Sequence, residues 1–549
     1  HLGLGRNITI DSLKIVWNDG RQQVMKQLKA NQVLTLKQVD AKATLQPQAR
    51  SPLPTVFEDV TESLQLPYRH QENNYIDFNS EALVPHMLSQ EGPALAVADV
   101  NSDGREDIFG GGAAHQPAQL LLQKTDGSFA VHQANLWEEE QNFEDVDAAF
   151  FDADGDGDQD LYIASAGNQT NGPSLQDRLY LNDGRGNFSI NAAALPKMNT
   201  NTACVSPLDF DQDGDVDLFV GGRSVPGRYG LMPRSYLLRN DGSGNFTDVT
   251  EQVPPKLTEA GMLTAALWMD YDADGWKDLI VAGTWMPVSI FKNHQGERLE
   301  KMEAQGLEKS HGWWNTLAAA DVDGDGDMDL LAGNLGLNSV IKASENEPAE
   351  LYVKDFDENG SLDHILTFYK KGVSYPFATK AELTKQIVSL RKKYLKYADY
   401  ADSQVEDIFS EEQLATAEKR QAYHFASSYI ENLGDGNFKM HPLPLQAQFA
   451  PINAFAISDF NGDQVPDVVL AGNSDAVGPK QGRYDAGYGL LLLGKGDGTF
   501  DPKTPEESGL IVKGESRKIR NLQGSKVEYL IFGTNNETLQ FYRRQQPLP

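Results

Sequence analysis

One cysteine in 549 residues, Cys204, rules out an internal disulfide, so sulfur staples nothing in this chain. No apolar run is long enough to span a bilayer. Bases are scarce: 48 Lys and Arg stand against 79 Asp and Glu, a net charge of −31. The basic footprint of a nucleic-acid binder is therefore missing. Also missing are an HExxH pair, a Walker loop, a G-x-S-x-G elbow and a Cys/His nucleophile arrangement. Sialidase-type Asp boxes with a Thr-Trp ending do not occur either.

What the chain has in abundance is aspartate in a fixed rhythm. "FFDADGDGDQDLYIA" (150–164) crowds five aspartates into nine positions between apolar flanks. Carboxylates this close repel one another unless a cation sits among them. The pattern recurs seven times, with oxygen-bearing side chains at loop positions 1, 3, 5 and 9. The first copies are Asp99, Asn101, Asp103, Asp107, then Asp152, Asp154, Asp156, Asp160, then Asp209, Asp211, Asp213, Asp217. Next come Asp270, Asp272, Asp274, Asp278, and Asp321, Asp323, Asp325, Asp329. The last two are Asp355, Asp357, Asn359, Asp363 and Asp459, Asn461, Asp463, Asp467. Position 6 is Gly in six copies, where a tight turn needs a permissive backbone, and Gln464 in the seventh.

Such a donor set suits Ca²⁺, which takes six to eight oxygens in a flexible shell; position 7 would add a backbone carbonyl. Mg²⁺ is stricter, and Zn²⁺ would want Cys or His, which no loop contains. An EF-hand would end on a bidentate Glu at position 12 and enter a helix. Here position 12 is Gly110, Ile163, Val220, Val281, Ala332, Leu366 and Leu470. Apolar runs such as "TLAAAD" and "DLFVGG" flank the loops and predict strand, loop, strand. The bland alternative is a set of acidic β-turns without metal. Seven Ca²⁺ would add 14 positive charges and leave −17, so about half of the acidic excess belongs to the loops.

The first aspartates are spaced by 53, 57, 61, 51, 34 and 104 residues. The first four intervals suit a four-stranded blade. A second signature, as in "LYLNDGRGNF" (179–188) and "YIENLGDGNF" (429–438), supplies a further hairpin whose Phe re-enters the core. The fold class expected is all-β: a calcium-binding β-propeller of seven blades, with eight as the alternative, plus a helical insertion and a small N-terminal β segment. "FEDVT" (57–61) resembles "FTDVT" (246–250), an outermost strand. It should share one blade with the C-terminal strands and so remove an open edge.

Domain boundaries follow. Residues 1–40 form a small β segment in which "LKIVWNDGRQQ" turns at Asp19-Gly20 and "QVLTLKQV" offers a second strand. Residues 41–54 read as a linker, and 55–549 as the propeller. Residues 379–420 read as helices inserted into the sixth unit, with capping boxes at Thr379-x-x-Glu382 and Ser403-x-x-Glu406. Lys385, Arg391, Lys392, Lys393 and Lys396 make the insertion basic: a solvated helix face, or a dock for an acidic partner.

The loops with their flanking strands resemble FG-GAP/VCBS repeats, the units of the integrin α-chain propeller. "HLGLGRNITIDSLKIVWNDGRQQ" resembles the end of an ASPIC/UnbV domain, which accompanies such repeats in bacterial surface proteins and in the cartilage acidic protein. "ALVPHMLSQEGPALAVADVNSDGREDIFGGGA" (82–113) and "GNLGLNSVIKASENEPAELYVKDFDENGSLD" (333–363) look like the bacterial tandem-propeller branch. Such a domain usually follows a propeller; here it leads, which implies the C-terminal part of a longer protein. The resemblance implies the extracellular face of the outer membrane in Bacteroidetes-type bacteria, near nutrient-uptake transporters, with the periplasm as the alternative.

Function is then expected on a face. If every calcium loop joins first to second strand, all seven lie on one side of the disc. The opposite side collects Arg223, Arg228, Tyr229, Trp285, Trp313, Trp314 and Asn334, residue types enriched at binding hot spots and sugar platforms. Alternatively the tryptophans pack between blades. The expected function is a non-catalytic, calcium-stabilised scaffold that holds a protein or glycan there, as a subunit of an outer-membrane nutrient-uptake assembly. The other class is a carbohydrate-acting enzyme that uses that face or the central channel. Carboxylates at the channel mouth not claimed by metal would discriminate the two.

Overall fold

A computed structural model describes residues 8–41, 43–44, 55–169, 175–253, 256–524 and 527–545. The chain divides into two compact units, His1–Pro54 and Thr55–Pro549. Most of the expected linker, 41–54, lies outside the described residues.

In the first unit Thr9–Val16 pairs antiparallel with Arg21–Lys29 across the turn at Asp19-Gly20, and Ala43–Thr44 adds a short third strand. The second strand is therefore Arg21–Lys29 and not "QVLTLKQV", which holds only the 3₁₀ turn Gln38–Asp40. A tight Asp-Gly turn returns the chain at once into its neighbour, before that run is reached.

The second unit is all-β with short helices, built of four-stranded antiparallel sheets as in a β-propeller. Sheet one is Leu95–Ala98, Asp107–Gly110, Gln119–Gln123 and Phe129–His132. Sheet two is Glu144–Phe151, Asp160–Ala166, Arg178–Leu181 and Ser189–Ile190; sheet three is Asn201–Leu208, Asp217–Ser224, Tyr236–Asn240 and Phe246–Asp248. Sheet four is Met262–Met269, Asp278–Met286, Ser289–His294 and Arg298–Lys301, with Gly312–Trp313 as a fifth, short strand paired to the end of Asp278–Met286. Sheet five is Thr316–Ala320, Asp329–Gly333, Ser428–Asn432 and Phe438–Pro442; sheet six is Ile452–Ser458, Asp467–Gly472, Leu490–Gly494 and Phe500–Lys503. Sheet seven joins Ser516–Gln523, Glu528–Thr534 and Gln540–Arg544 to Phe57–Asp59, so the two ends of this unit share one sheet. First strands adjoin in the order one to seven, and that of seven adjoins that of one.

The Gly-turn signature works as its residues suggest: Phe129, Phe188, Phe246, Phe438 and Phe500 are all buried. The second strands of sheets two to four are buried along their whole length, which accounts for their continuous apolar runs.

Between Gly333 and Ser428 sheet five is interrupted by an eighth sheet, ordered Val373–Pro376, Asp363–Lys370, Ala349–Lys354, Glu418–Ala422. It carries the helices Lys380–Gln386, Tyr397–Ala401, Val405–Ile408 and Glu411–Ala415. The insertion is thus larger than 379–420 and brings its own acidic loop, 355–363, which explains the 34 and 104 intervals. Thr379 caps its helix as expected, its hydroxyl accepting the Glu382 N–H at 3.3 Å while the Glu382 carboxylate accepts the Thr379 N–H at 2.7 Å. Ser403 does not: the cap falls on Gln404, whose N–H donates to Asp407 at 2.9 Å.

Candidate metal centres and the covered face

Every acidic loop is built the same way. Its position-9 aspartate begins the second strand and is buried, at most 1 % exposed in all seven copies. One of its oxygens accepts the backbone N–H of loop position 2, at 2.8 Å from Ala153 to Asp160 and 3.3 Å from Tyr271 to Asp278. In the six ring loops the other accepts a backbone N–H of the third strand: Gln123 to Asp107, Asn182 to Asp160, Asn240 to Asp217, Asn293 to Asp278 and Asn432 to Asp329 at 2.8 Å, and Gly494 to Asp467 at 2.9 Å. In the inserted sheet, Gln386 from the first helix takes that role toward Asp363 at 2.8 Å. Position 9 is thus a clamp between loop and sheet. Burial pushes Asp107, Asp160, Asp217 and Asp278 up to about 7 and Asp329 to about 6, against the pull of those N–H bonds; Asp363 and Asp467 are raised too.

Five loops draw three carboxylates together, with donor oxygens within 4.8 Å of one another: Asp152/Asp154/Asp160, Asp209/Asp211/Asp217, Asp270/Asp272/Asp278, Asp321/Asp323/Asp325 and Asp355/Asp357/Asp363. At position 3 of four of these, one oxygen each of Asp154, Asp211, Asp272 and Asp357 is buried and has no hydrogen-bond partner. An orphaned carboxylate oxygen is costly, and it is shut off from water here. A gap too tight for water between several such oxygens is what a bare cation fills, and an all-oxygen set favours a hard one. The residues present therefore fit Ca²⁺. Position-5 residues Asp156, Asp213, Asp274 and Asn359 fall outside these groups, as does Asp329 in the fifth loop, where Tyr429 donates to it at 3.1 Å.

The first and last loops gather fewer carboxylates. Asn101 and Asn461 replace an Asp at position 3; Asp103 pairs with Arg105, and Asp463 accepts from the Asn461 amide at 2.9 Å. Asp99 and Asp459 still fold their loops, accepting the Gly104 N–H at 2.7 Å and the Gln464 N–H at 2.9 Å. Gln464 keeps the turn by adopting φ +69°, where the glycines of the other copies sit at +80° or above. That strain predicts that Gln464→Gly stabilises the protein by about 1 kcal/mol. Chemical denaturation at saturating calcium measures it.

Two kinds of residue escaped the sequence reading. Asp158 and Asp327, at position 7, each bury an unpartnered carboxylate oxygen, and burial beside the other aspartates lifts both to about 6. The asparagines that close the third strands tie sheet to sheet. Asn182 donates to the Val100 carbonyl of sheet one, Asn240 to Ala153 of sheet two, Asn293 to Phe210 of sheet three and Asn432 to Tyr271 of sheet four, each at 2.8 Å. Each acceptor is loop position 2 of the preceding sheet. The Asn before a Gly turn was visible in the sequence, but a turn residue and a staple look alike there.

The expected binding face is covered. Trp314 is fully buried and donates its indole N–H to the Ser310 carbonyl at 2.9 Å. Trp285 packs edge-on against Trp313 at 5.0 Å and donates to the Tyr229 hydroxyl at 2.8 Å. Asn334 is buried, accepting the Trp313 N–H at 3.1 Å. Val84 and Leu88 of the segment before sheet one, with Leu351, Val353 and Leu366 of the inserted sheet, share one core with Tyr229, Trp285 and Trp313. Arg223 is held by Glu91 at 3.0 Å, Thr284 at 3.0 Å and His86 at 3.1 Å. Of the seven residues only Arg228 is exposed, so they form no open platform. Nor do all seven acidic loops belong to the ring: the sixth lies in the inserted sheet. Beside the channel, Glu91 pairs with Arg223, Glu515 with Arg517 at 2.6 Å and Asp147 with Lys518 at 2.7 Å.

No curated protein matches the chain. Among solved structures, two crystal structures of BBS1N in complex with ARL6DN, soaked with mercury and with lead, are 10% and 9% identical. They cover 84% and 90% of this chain and 95% and 99% of their own, each with a TM-score of 0.39. A thermostable family-43 glycoside hydrolase is 8% identical, with a TM-score of 0.27 over 54% of this chain and 96% of its own. The FG-GAP-like repeat family matches residues 99–163, 152–220 and 270–332, and the ASPIC and UnbV family matches 1–43. The chain thus carries three FG-GAP-like repeats and, at its N-terminal end, an ASPIC and UnbV domain.

Proposed function

We propose that this chain is a non-catalytic scaffold: a closed seven-bladed β-propeller whose hairpin tips are fixed by Ca²⁺ and which holds a protein or glycan partner. The observation that carries this reading is the set of five carboxylate triads, four of them with an orphaned buried oxygen. The cyclic contact of the first strands supports seven blades, with the inserted sheet as a cap outside the ring. Loops of this kind fill where calcium approaches millimolar. That fits the extracellular face of a bacterial outer membrane, and a place in a nutrient-uptake assembly rests on the family resemblance alone. The channel carboxylates Glu91, Asp147 and Glu515 are each taken by a cation, which favours scaffold over glycosidase.

Calcium titration of the stripped protein by calorimetry, with metal analysis of the dialysed product, tests the reading. Five ions are expected from the five triads, with weaker uptake at the loops of Asp99 and Asp459. Failure to retain any divalent ion at millimolar calcium would sink it.

A further inference from the structure

The inserted helices carry a surface unlike the rest of the molecule. Their inward side chains, Leu383, Leu390 and Tyr394 among them, pack with Phe356 and Phe409 into one core, so the segment is firmly seated. Three large apolar side chains point the other way: Leu395 is 77 % exposed, Tyr397 67 % and Val388 54 %. Around them Lys385, Arg391, Lys392, Lys393 and Lys396 are exposed. None of these five makes an ion pair within 4.0 Å among the described residues, in a chain with 79 acidic side chains to offer. Arg391 and Lys393 donate to carbonyls of the insertion, Thr384 at 3.1 Å and Ile408 at 3.3 Å, so Lys385, Lys392 and Lys396 are the cations turned to solvent. Nearby carboxylates are engaged elsewhere. Asp399 accepts the Lys396 backbone N–H at 3.1 Å, Asp407 caps Gln404 at 2.9 Å, and Glu382 pairs with Lys480 at 2.8 Å.

We propose that this patch docks on an anionic phospholipid surface, with Leu395 and Tyr397 entering the interfacial layer and the surrounding cations meeting headgroup phosphates. Protruding apolar and aromatic side chains ringed by lysines suit a lipid interface, where the lysine stems lie along acyl chains and the ammonium groups reach the phosphates. The remainder of the molecule, negative even with every acidic loop filled, is repelled from such a surface, so this patch is the part that approaches. One short patch gives weak, reversible, salt-sensitive attachment.

Vesicle flotation of the full chain at saturating calcium and low salt tests this, comparing pure phosphatidylcholine with an equal mixture of phosphatidylcholine and phosphatidylglycerol. Binding to the mixed vesicles alone is expected. The triple variant Lys385→Glu/Lys392→Glu/Lys396→Glu should lose at least about tenfold in affinity. Leu395→Ala/Tyr397→Ala should also bind more weakly, although its charge is intact. All three variant lysines and both apolar residues are exposed, and melting at saturating calcium checks that both variants stay folded. Equal binding by wild type and variants, as calcium bridging to the acidic loops would give, overturns the proposal. So does absence of binding to mixed vesicles, and patch-dependent capture of a polyglutamate peptide in that case assigns the patch to an acidic protein instead. The result is independent of calcium stoichiometry, which is measured separately.

Discussion

Stripped of calcium with a chelator, the protein melts far below its temperature in millimolar calcium, and its stability falls more steeply with rising pH. Each site filled at a hundredfold excess over its Kd contributes about 2.7 kcal/mol, and five triads act on one cooperative unit. The pH effect follows from the buried position-9 aspartates. Without a cation, burial holds four of them at about 7, above the unfolded value of about 3.9. The native state then binds more protons than the unfolded state, so stability is present at low pH and is lost as pH rises through 7. Glu72, lifted by burial to about 8, and Asp177, lifted to about 7, act in the same direction. Histidines oppose it only lower down. Burial drops His70 and His86 to about 3 and His364 to about 4, so their contribution changes below about pH 6.5, where unfolded histidine protonates. From about pH 6.5 to about 8.5, then, the stripped protein loses stability with rising pH. With calcium present the share of the loop aspartates in that decline vanishes, because the cation keeps them deprotonated in the native state and neither state then binds their protons; only the shallower decline from Glu72 and Asp177 is left. Scanning calorimetry at both ends of that window, with and without calcium, reads the result; parallel trends in the two conditions would refute it.

Replacing Asp160 by Ala costs about 2–6 kcal/mol even without calcium, because the Ala153 and Asn182 backbone N–H groups both lose their buried acceptor, and more with calcium, because a ligand goes too. Replacing Asp154, six positions earlier in the same loop, behaves oppositely. One of its oxygens has no partner, and burial and Asp156 push its carboxyl up. Asp154→Ala therefore leaves the stripped protein unchanged or slightly stabler and weakens only the calcium-loaded form. Denaturant curves of the two variants in chelator and in calcium separate clamp from ligand. If both variants lost stability only with calcium, position 9 would be a ligand and nothing more.

Much of this was written in the chain. A 1-3-5-9 spacing of oxygens between two apolar runs specifies a hairpin tip, and a position 12 that is never acidic excludes an EF-hand. The likeness of "FEDVT" to "FTDVT" placed a strand some 480 residues from its partners, Phe57–Asp59 beside Gln540–Arg544. What stayed hidden had long-range causes. The eighth sheet uses the same local code as the others, so its loop at Asp355 counted as one more blade tip; only pairing shows it leaving the ring between Gly333 and Ser428. Trp285 and Trp313 read equally well as a platform or a core, and the decision lay with Val84, Leu88 and the inserted sheet, far away in sequence. The double duty of Asp160 also depended on a strand some twenty residues on, at Asn182.

Those asparagines give the ring a mechanical sense. Asn182, Asn240, Asn293 and Asn432 each hang from the clamp of their own loop by the main chain and grip the loop before them by the side chain. Loosening one tip therefore slackens its neighbour along sheets one to five. Sheet six has no such link to sheet five among the described residues, since Gly494 stands at the matching place; sheet seven grips the loop of sheet six through Arg544, whose guanidinium donates to the Asp459 carbonyl. Fraying on cation loss should start at that junction of sheets five and six, and run outward from it.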